Sequence, residues 1–259
     1  EEVHPVNLLT VDGLHRMMLM LVDNTTGFAP LGVVFVAMLG IGIAESSGLI
    51  SAGIRLLVLS SPKKILTFVL VFAGIMSNMA SDIGYVLLIP LAGVIFMAVN
   101  RHPIVGMAAA FAGVSGGFSA NLMLGTIDPL LAGLSTEGAQ IVDPTYEVNP
   151  TANYYFMVVS TFVIAAAGTW VTERFVAPRF GEYRGEGSEE KLERLKPEEK
   201  KGLLWAGIAT LIMIGIMLVG IIPVNGFLRG PDGAVLTSPI IKGVISVLVA
   251  LAGVAGVVY

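Results

Sequence analysis

The stretch IMSNMASDIGYVLLIP, residues 75–90, sets Ser77, Asn78, Ser81 and Asp82 inside an apolar run from Ile65 to Val99. Polar groups in such surroundings are costly unless they face protein, an ion or water. If the second half of the run is helical, Asn78 and Asp82 are four apart and share one face, with Ser81 close by. Oxygen atoms grouped in this way can bind a cation or a polar passenger. A carboxylate held in a low dielectric also has a raised pKa and can exchange a proton. The plainer alternative makes Ser77 and Asn78 a helix cap in an exposed outer turn, with Asp82 balancing the helix N-terminus.

A second segment repeats the theme. GMAAAFAGVSGGFSANLMLGTIDP, residues 106–129, places Gly113, Gly116, Gly117, Ser115, Ser119 and Asn121 in the middle of an apolar crossing. Glycines weaken a helix by about 1 kcal/mol each relative to alanine, so an interrupted helix is expected over 103–127. Broken helices present free carbonyl and amide groups near mid-membrane, which is how many secondary transporters hold sodium and anionic substrates. GVSGGF also fits the Gly-x-Ser-Gly pattern of intramembrane serine proteases, with Ser115 as nucleophile. That chemistry needs a base in reach, and His4, His15 and His102 either precede the first span or sit at a cytoplasmic border. No phosphate loop or metal-ligand histidine cluster occurs in the sequence, which argues against ATP hydrolysis and against an enzyme reading.

The elements that must position these residues follow from composition. The 259 residues are 55% hydrophobic and 13% charged, with a mean hydropathy of +0.83, which is the balance of an integral membrane protein. Asn24 to Ala44, Pro103 to Ile127, Val148 to Thr172 and Gly202 to Leu228 contain no Asp, Glu, Lys or Arg. Each is long enough for a helix across a hydrocarbon core of about 30 Å, and the runs are too unalternating for a membrane barrel. An all-α polytopic membrane protein is therefore expected. Cysteine is absent, so disulfides and zinc-cysteine sites are not available.

Charge sets the orientation. Arg55, Lys63, Lys64, Arg101 and the basic residues of 173–201 make up 12 of the 15 Lys and Arg, whereas Asp128 to Glu147 holds four acids and no Lys or Arg. The first group is expected on the cytoplasmic side and the acidic loop outside. The run from Ile65 to Val99 then has basic flanks at both ends and must turn round. Its 35 residues would make a straight helix about 52 Å long. Two forms fit, a pair of full spans or a re-entrant hairpin whose tip stays in the bilayer. The 12 residues from Ile65 to Met76 give only about 18 Å of helix, which favours the re-entrant form. Such backbone is tolerated where it is buried in protein or lines a wet cavity.

These readings divide the chain into an outer interfacial segment at 1–27, a transmembrane helix and cytoplasmic connection at 28–60, and a transport-domain part at 61–147. That part contains the hairpin at 65–99, the broken helix at 103–127 and an outer loop at 128–147. A transmembrane helix at 148–178, a solvated cytoplasmic linker at 179–201 and the start of a second repeat at 202–259 complete it. The plain readings are a turn fixed by Pro129 for Asp128 and an aromatic belt for Trp170, Trp205, Tyr154 and Tyr155. The last run, GVISVLVALAGVAGVVY, is still hydrophobic at Tyr259, which leads us to expect a longer protein.

The order GFAPLGVVFVAMLGIGIAESSGLI, SNMASDIGYVLLIP, GVSGGFSANLMLGTIDPLLAG and NYYFMVVSTFVIAAAGTWVTERFVAPRFGEY resembles the AbgT family, the p-aminobenzoyl-glutamate transporters and their sulfonamide-exporting relatives in bacteria. A more distant likeness is to the divalent-anion/sodium symporters. Their Ser-Asn-Thr hairpin tip would match Ser77, Asn78 and Met79, with a hydroxyl missing at the third position. The resemblance implies a homodimer of inverted repeats in the bacterial inner membrane, working as an ion-coupled carrier of elevator type for a small organic anion. It implies that Ser77, Asn78, Gly116 and Gly117 form a sodium or substrate locus, with Asp82 the acidic residue near it. Asn78, Asp82, Ser81, Ser119 and Asn121 are the expected substrate contacts. Sodium or a proton would be the coupling ion, with no other cofactor and no nucleic acid partner. An ion channel and a carrier of dicarboxylates or other organic anions stay open as alternatives.

Overall fold

A computed structural model describes residues 7–28, 30–80, 84–181, 183, 195–223, 225–230, 233 and 238–259. The helices in order are α1 (Val11–Thr26), α2 (Leu31–Ser46), α3 (Leu49–Leu59), α4 (Leu66–Ser77), α5 (Ile89–Ala98), α6 (Pro103–Gly116), α7 (Ile127–Gln140), α8 (Tyr154–Val171), α9 (Ala177–Phe180), α10 (Pro197–Ile221), α11 (Pro239–Lys242) and α12 (Val244–Val258). A π-helical turn, Gly84–Leu88, leads into α5, and another, Thr172–Val176, joins α8 to α9. The described residues contain no strand, so the fold is all-α.

Two of these helices are long and apolar enough to cross a membrane unaided, Tyr154–Phe180 and Pro197–Ile221. Others are bent or short. The pair Leu49–Leu59 and Lys63–Ser77 meets at 110°. The turn before it is built at Gly48, whose φ of 86° is left-handed and suits glycine. The span expected from 148 starts later, at Tyr154, because Asn149 Oδ1 accepts from Thr151 N and Thr151 Oγ1 and folds that stretch into a turn.

The run from Ile65 to Val99 does reverse. Arg101, just past α5, donates from Nη1 to Thr67 Oγ1 at 2.9 Å, so the start of α4 and the end of α5 lie side by side. Arg101 Nη2 also reaches Glu173 Oε1 at 2.7 Å, and its guanidinium lies 4.5 Å from the centre of the Phe96 ring. Thr67 Oγ1 in turn donates to Glu173 Oε1. One polar clasp therefore ties both arms of the hairpin to the end of α8. At 12 residues, α4 is about 18 Å long, well short of the roughly 30 Å of hydrocarbon.

Both arms pack on α6. Small residues let the backbones meet, as is usual between membrane helices. A Cβ at Gly113 would stand 2.2 Å from Val71 O, and one at Gly106 would stand 2.5 Å from Ala92 O. The same device joins α2 to α12, where a Cβ at Gly40 would stand 2.5 Å from Val249 Cα. The helices thus form two groups. α4, α5, α6 and α8 make one, and α2, α3, α10 and α12 the other, with α3 touching α4 between them. On the second group Arg55 pairs with Glu199, joining α3 to α10.

The stretch 128–147, expected to be an outer loop, is largely helical. Asp128 and Pro129 stand in the first turn of α7, where an acid offsets the helix dipole and proline loses no hydrogen bond. α7 packs against α2, with Gly133 seated on Pro30.

Candidate functional site

The chain after α4 turns through a 3₁₀ turn, Asn78–Ala80, at the tip of the hairpin. α4 and α6 run parallel and end near the same point, so their last carbonyls, which lack helical partners, converge there. Asn78 supplies donors for both ends. Its Nδ2 lies 3.4 Å from Gly74 O, 3.2 Å from Ile75 O and 3.0 Å from Val114 O, and the residue is buried. Three carbonyls around one nitrogen fix the orientation of the amide. Oδ1 faces the other way and has no partner among the described residues.

Ser77, also buried, donates to Gly74 O at 2.6 Å. Its side chain closes against Gly84, where a Cβ would come within 2.0 Å of Ser77 Oγ. The hydroxyl lone pairs remain, but the proton is committed to its own helix.

The expected break in the crossing falls at Gly117. α6 stops at Gly116, and residues 117–126 run without regular helix until α7 begins. Gly117 is buried against Ile75 of α4. Asn121 is buried, and its Oδ1 accepts from Leu122 N at 2.9 Å and Met123 N at 3.2 Å, which holds the loop in shape. Its Nδ2 has no partner among the described residues. Further on, the site that a Cβ would occupy at Gly125 lies 3.7 Å from Met79 Cα and 3.8 Å from Asn78 O. The loop after the break therefore docks on the hairpin tip.

Of the candidate residues, Ser77, Asn78, Gly117 and Asn121 are buried, and the hairpin tip meets the loop that carries Asn121. Gly116 and Ser119 are exposed. Ser81 and Asp82 fall outside the described residues. Two groups to which the sequence analysis gave only plain readings join the locus. Asp128 Oδ2 accepts from Gly125 N at 2.7 Å and so fixes the segment that touches Asn78. Tyr154, read as an interfacial aromatic, donates to Leu122 O at 3.0 Å and ties the same loop to α8. A carboxylate placed directly after a glycine-rich break, in GTIDP, is the signal that could have revealed Asp128. Nothing in the sequence distinguishes Tyr154, 36% exposed, from its neighbour Tyr155, 86% exposed.

Electrostatically the locus is two-sided. The C-terminal ends of α4 and α6 carry partial negative charge that favours a cation, and the N-terminal ends of the Gly84–Leu88 turn and of α7 carry the opposite sign. Half-helices that meet in this way are the arrangement by which membrane carriers hold an ion beside an anion. Among the described residues no group of three His, Cys, Asp or Glu gathers to hold a metal.

This architecture, apolar helices around a reversed hairpin and a broken helix, is that of a polytopic membrane protein with the interrupted helices that secondary transporters use. A profile of the AbgT transporter family matches residues 1–259, and the chain belongs to that family. It is 38% identical over 244 residues to the p-aminobenzoyl-glutamate transport protein of Escherichia coli K12, covering 94% of this chain and 48% of that one. Its fold matches the YdaH transporter of Alcanivorax borkumensis with a TM-score of 0.84 and 42% identity, over 100% of this chain and 56% of that one. It also matches MtrF of Neisseria gonorrhoeae, described with a class of antimetabolite efflux pumps, with a TM-score of 0.85 and 51% identity over 99% and 52%. The chain spans about half the length of these relatives. It is a multi-pass inner-membrane protein.

Proposed function

We propose that this protein is an ion-coupled secondary transporter of p-aminobenzoyl-glutamate or of sulfonamide-type antimetabolites, working as a homodimer by an elevator-type movement. The observation that carries this reading is the Asn78 side chain, which joins the ends of α4 and α6 at 3.0 Å from Val114 O, with the Gly125 segment seated on it. Helix ends of both signs meet there, so a cation and the carboxylates of a passenger can be held side by side. Sodium or a proton is the coupling ion, and Ser77, Asn78 and the carbonyls around Gly117 are its proposed neighbours. Asn121 supplies a polar contact for the passenger, and Asp128 positions the loop.

The test is flux of labelled p-aminobenzoyl-glutamate in proteoliposomes holding the full-length protein, with a sodium or a proton gradient imposed in turn. Transport that follows one gradient and falls at least tenfold in Asn78→Ala supports the reading. Flux indifferent to both gradients removes ion coupling, and unitary current steps in a planar bilayer would replace the carrier with a channel.

A further inference from the structure

Between the two groups of helices lies a cavity of about 450 Å³. One wall is made by α2, α3, α10 and α12, the other by α4, the hairpin tip and the loop after α6. Among the described residues its lining is aliphatic apart from Gly53, Phe72, the thioethers of Met76, Met79 and Met123, and Thr210. Thr210 spends its hydroxyl on Ala206 O at 2.8 Å, so nothing in the wall calls for water or an ion.

The cavity borders the site through neighbouring residues. Met79 follows Asn78 in the chain and Leu122 follows Asn121; Met79 sits where the loop docks on the tip, and Leu122 belongs to that loop. Each of these two asparagines also keeps one hydrogen-bonding atom unused among the described residues, Oδ1 of Asn78 and Nδ2 of Asn121. Both asparagines are therefore chain neighbours of residues that line an apolar chamber of the size that small molecules fill. Methionine side chains are polarizable and adapt to the edges of aromatic rings.

We propose that this cavity receives the aromatic ring of the passenger, while its amide and carboxylate end stays at the hairpin tip. The inference rests on the transporter reading above, and it adds where the ring goes and which wall selects it. Gly53 gives the test. It lines the cavity, and a Cβ built there meets nothing within 4 Å. Substitution at this helical glycine also raises helix propensity, so the variants fold. Gly207 on α10 is equally open but lies outside the lining, which makes it the matched control.

Equilibrium binding of labelled p-aminobenzoyl-glutamate is measured on the full-length protein with Gly53→Ala, Gly53→Leu and Gly53→Phe, and with the same three changes at Gly207. The expected result is affinity that falls in step with side-chain volume at Gly53, at least tenfold by Gly53→Leu, and stays within twofold at Gly207. Equal effects at the two positions, or a flat Gly53 series, overturn the inference. A phospholipid that co-purifies with the parent and is lost from Gly53→Leu at unchanged passenger affinity assigns the cavity to an acyl chain instead. If the parent protein binds no p-aminobenzoyl-glutamate, the substrate reading itself falls and the ring site falls with it.

Discussion

Asn78 Nδ2 stands 3.0 Å from the carbonyl oxygen of Val114, 36 residues further along the chain, and so closes the ends of two parallel helices with one amide. Removing the amide takes away the donor that reaches the buried Val114 carbonyl, at a cost of about 1–3 kcal/mol. Asn78→Ala should therefore lower the thermal midpoint as well as the flux. Asn78→Asp should be worse, because a carboxylate would face three carbonyl oxygens. Thermal unfolding in detergent checks the order, and a midpoint for Asn78→Asp at or above that of Asn78→Ala would contradict it.

Asp128 separates positioning from charge. The amide oxygen introduced by Asp128→Asn would still accept from Gly125 N, so this variant should keep the thermal midpoint of the parent, whereas Asp128→Ala should lose about 1 kcal/mol with the hydrogen bond. If the carboxylate also acts on the coupling ion, flux falls at least tenfold in both variants. Flux retained in Asp128→Asn would confine the residue to holding the loop.

The docking of the loop on the tip can be trapped. The 259 residues contain no cysteine, so an introduced pair has no competing thiol within this sequence. Met79 Cα lies 3.7 Å from the place of a Cβ on Gly125, within the reach of a disulfide. Met79→Cys with Gly125→Cys should cross-link readily under mild oxidant and slow transport until reduced. A pair that stays reduced would place the loop elsewhere.

The close seam between α4 and α6 gives a contrast between glycines. At Gly113 a Cβ would collide with Val71 backbone at 2.2 Å, whereas at Gly207 it meets nothing within 4 Å. Gly113→Ala should destabilise by about 1–3 kcal/mol or more. Gly207→Ala should be neutral or stabilising by up to about 1 kcal/mol. Unfolding midpoints of the two variants decide it.

How much of this was written in the sequence varies by residue. The basic flanks of Ile65 to Val99 foretold that the run reverses, because charge alone demands that both ends share a side. Gly116 and Gly117 foretold the break, since consecutive glycines weaken a helix where they stand. The 128–147 stretch misled because acids and a proline suit both an exposed loop and the first turn of a helix. What decided for α7 was a tertiary contact, Gly133 against Pro30, which no local pattern encodes. The arrival of Tyr154 at Leu122 O and the pairing of Asn78 with Val114 O are likewise contacts across distant segments. Spacing along one helix cannot reveal them.

The clasp of Arg101, Thr67 and Glu173 binds the hairpin at its basic end by ionic and hydroxyl links. At the opposite end the links among the described residues are uncharged: the Asn78 amide and the Tyr85–Ser115 hydroxyl pair to α6, the Ser77–Gly84 contact and a seated loop. Stiffness is therefore graded along the hairpin, and bending under load concentrates at the tip. On the proposed transporter reading, a passenger that pries the arms apart would work against the compliant end and leave the clasp at the base undisturbed.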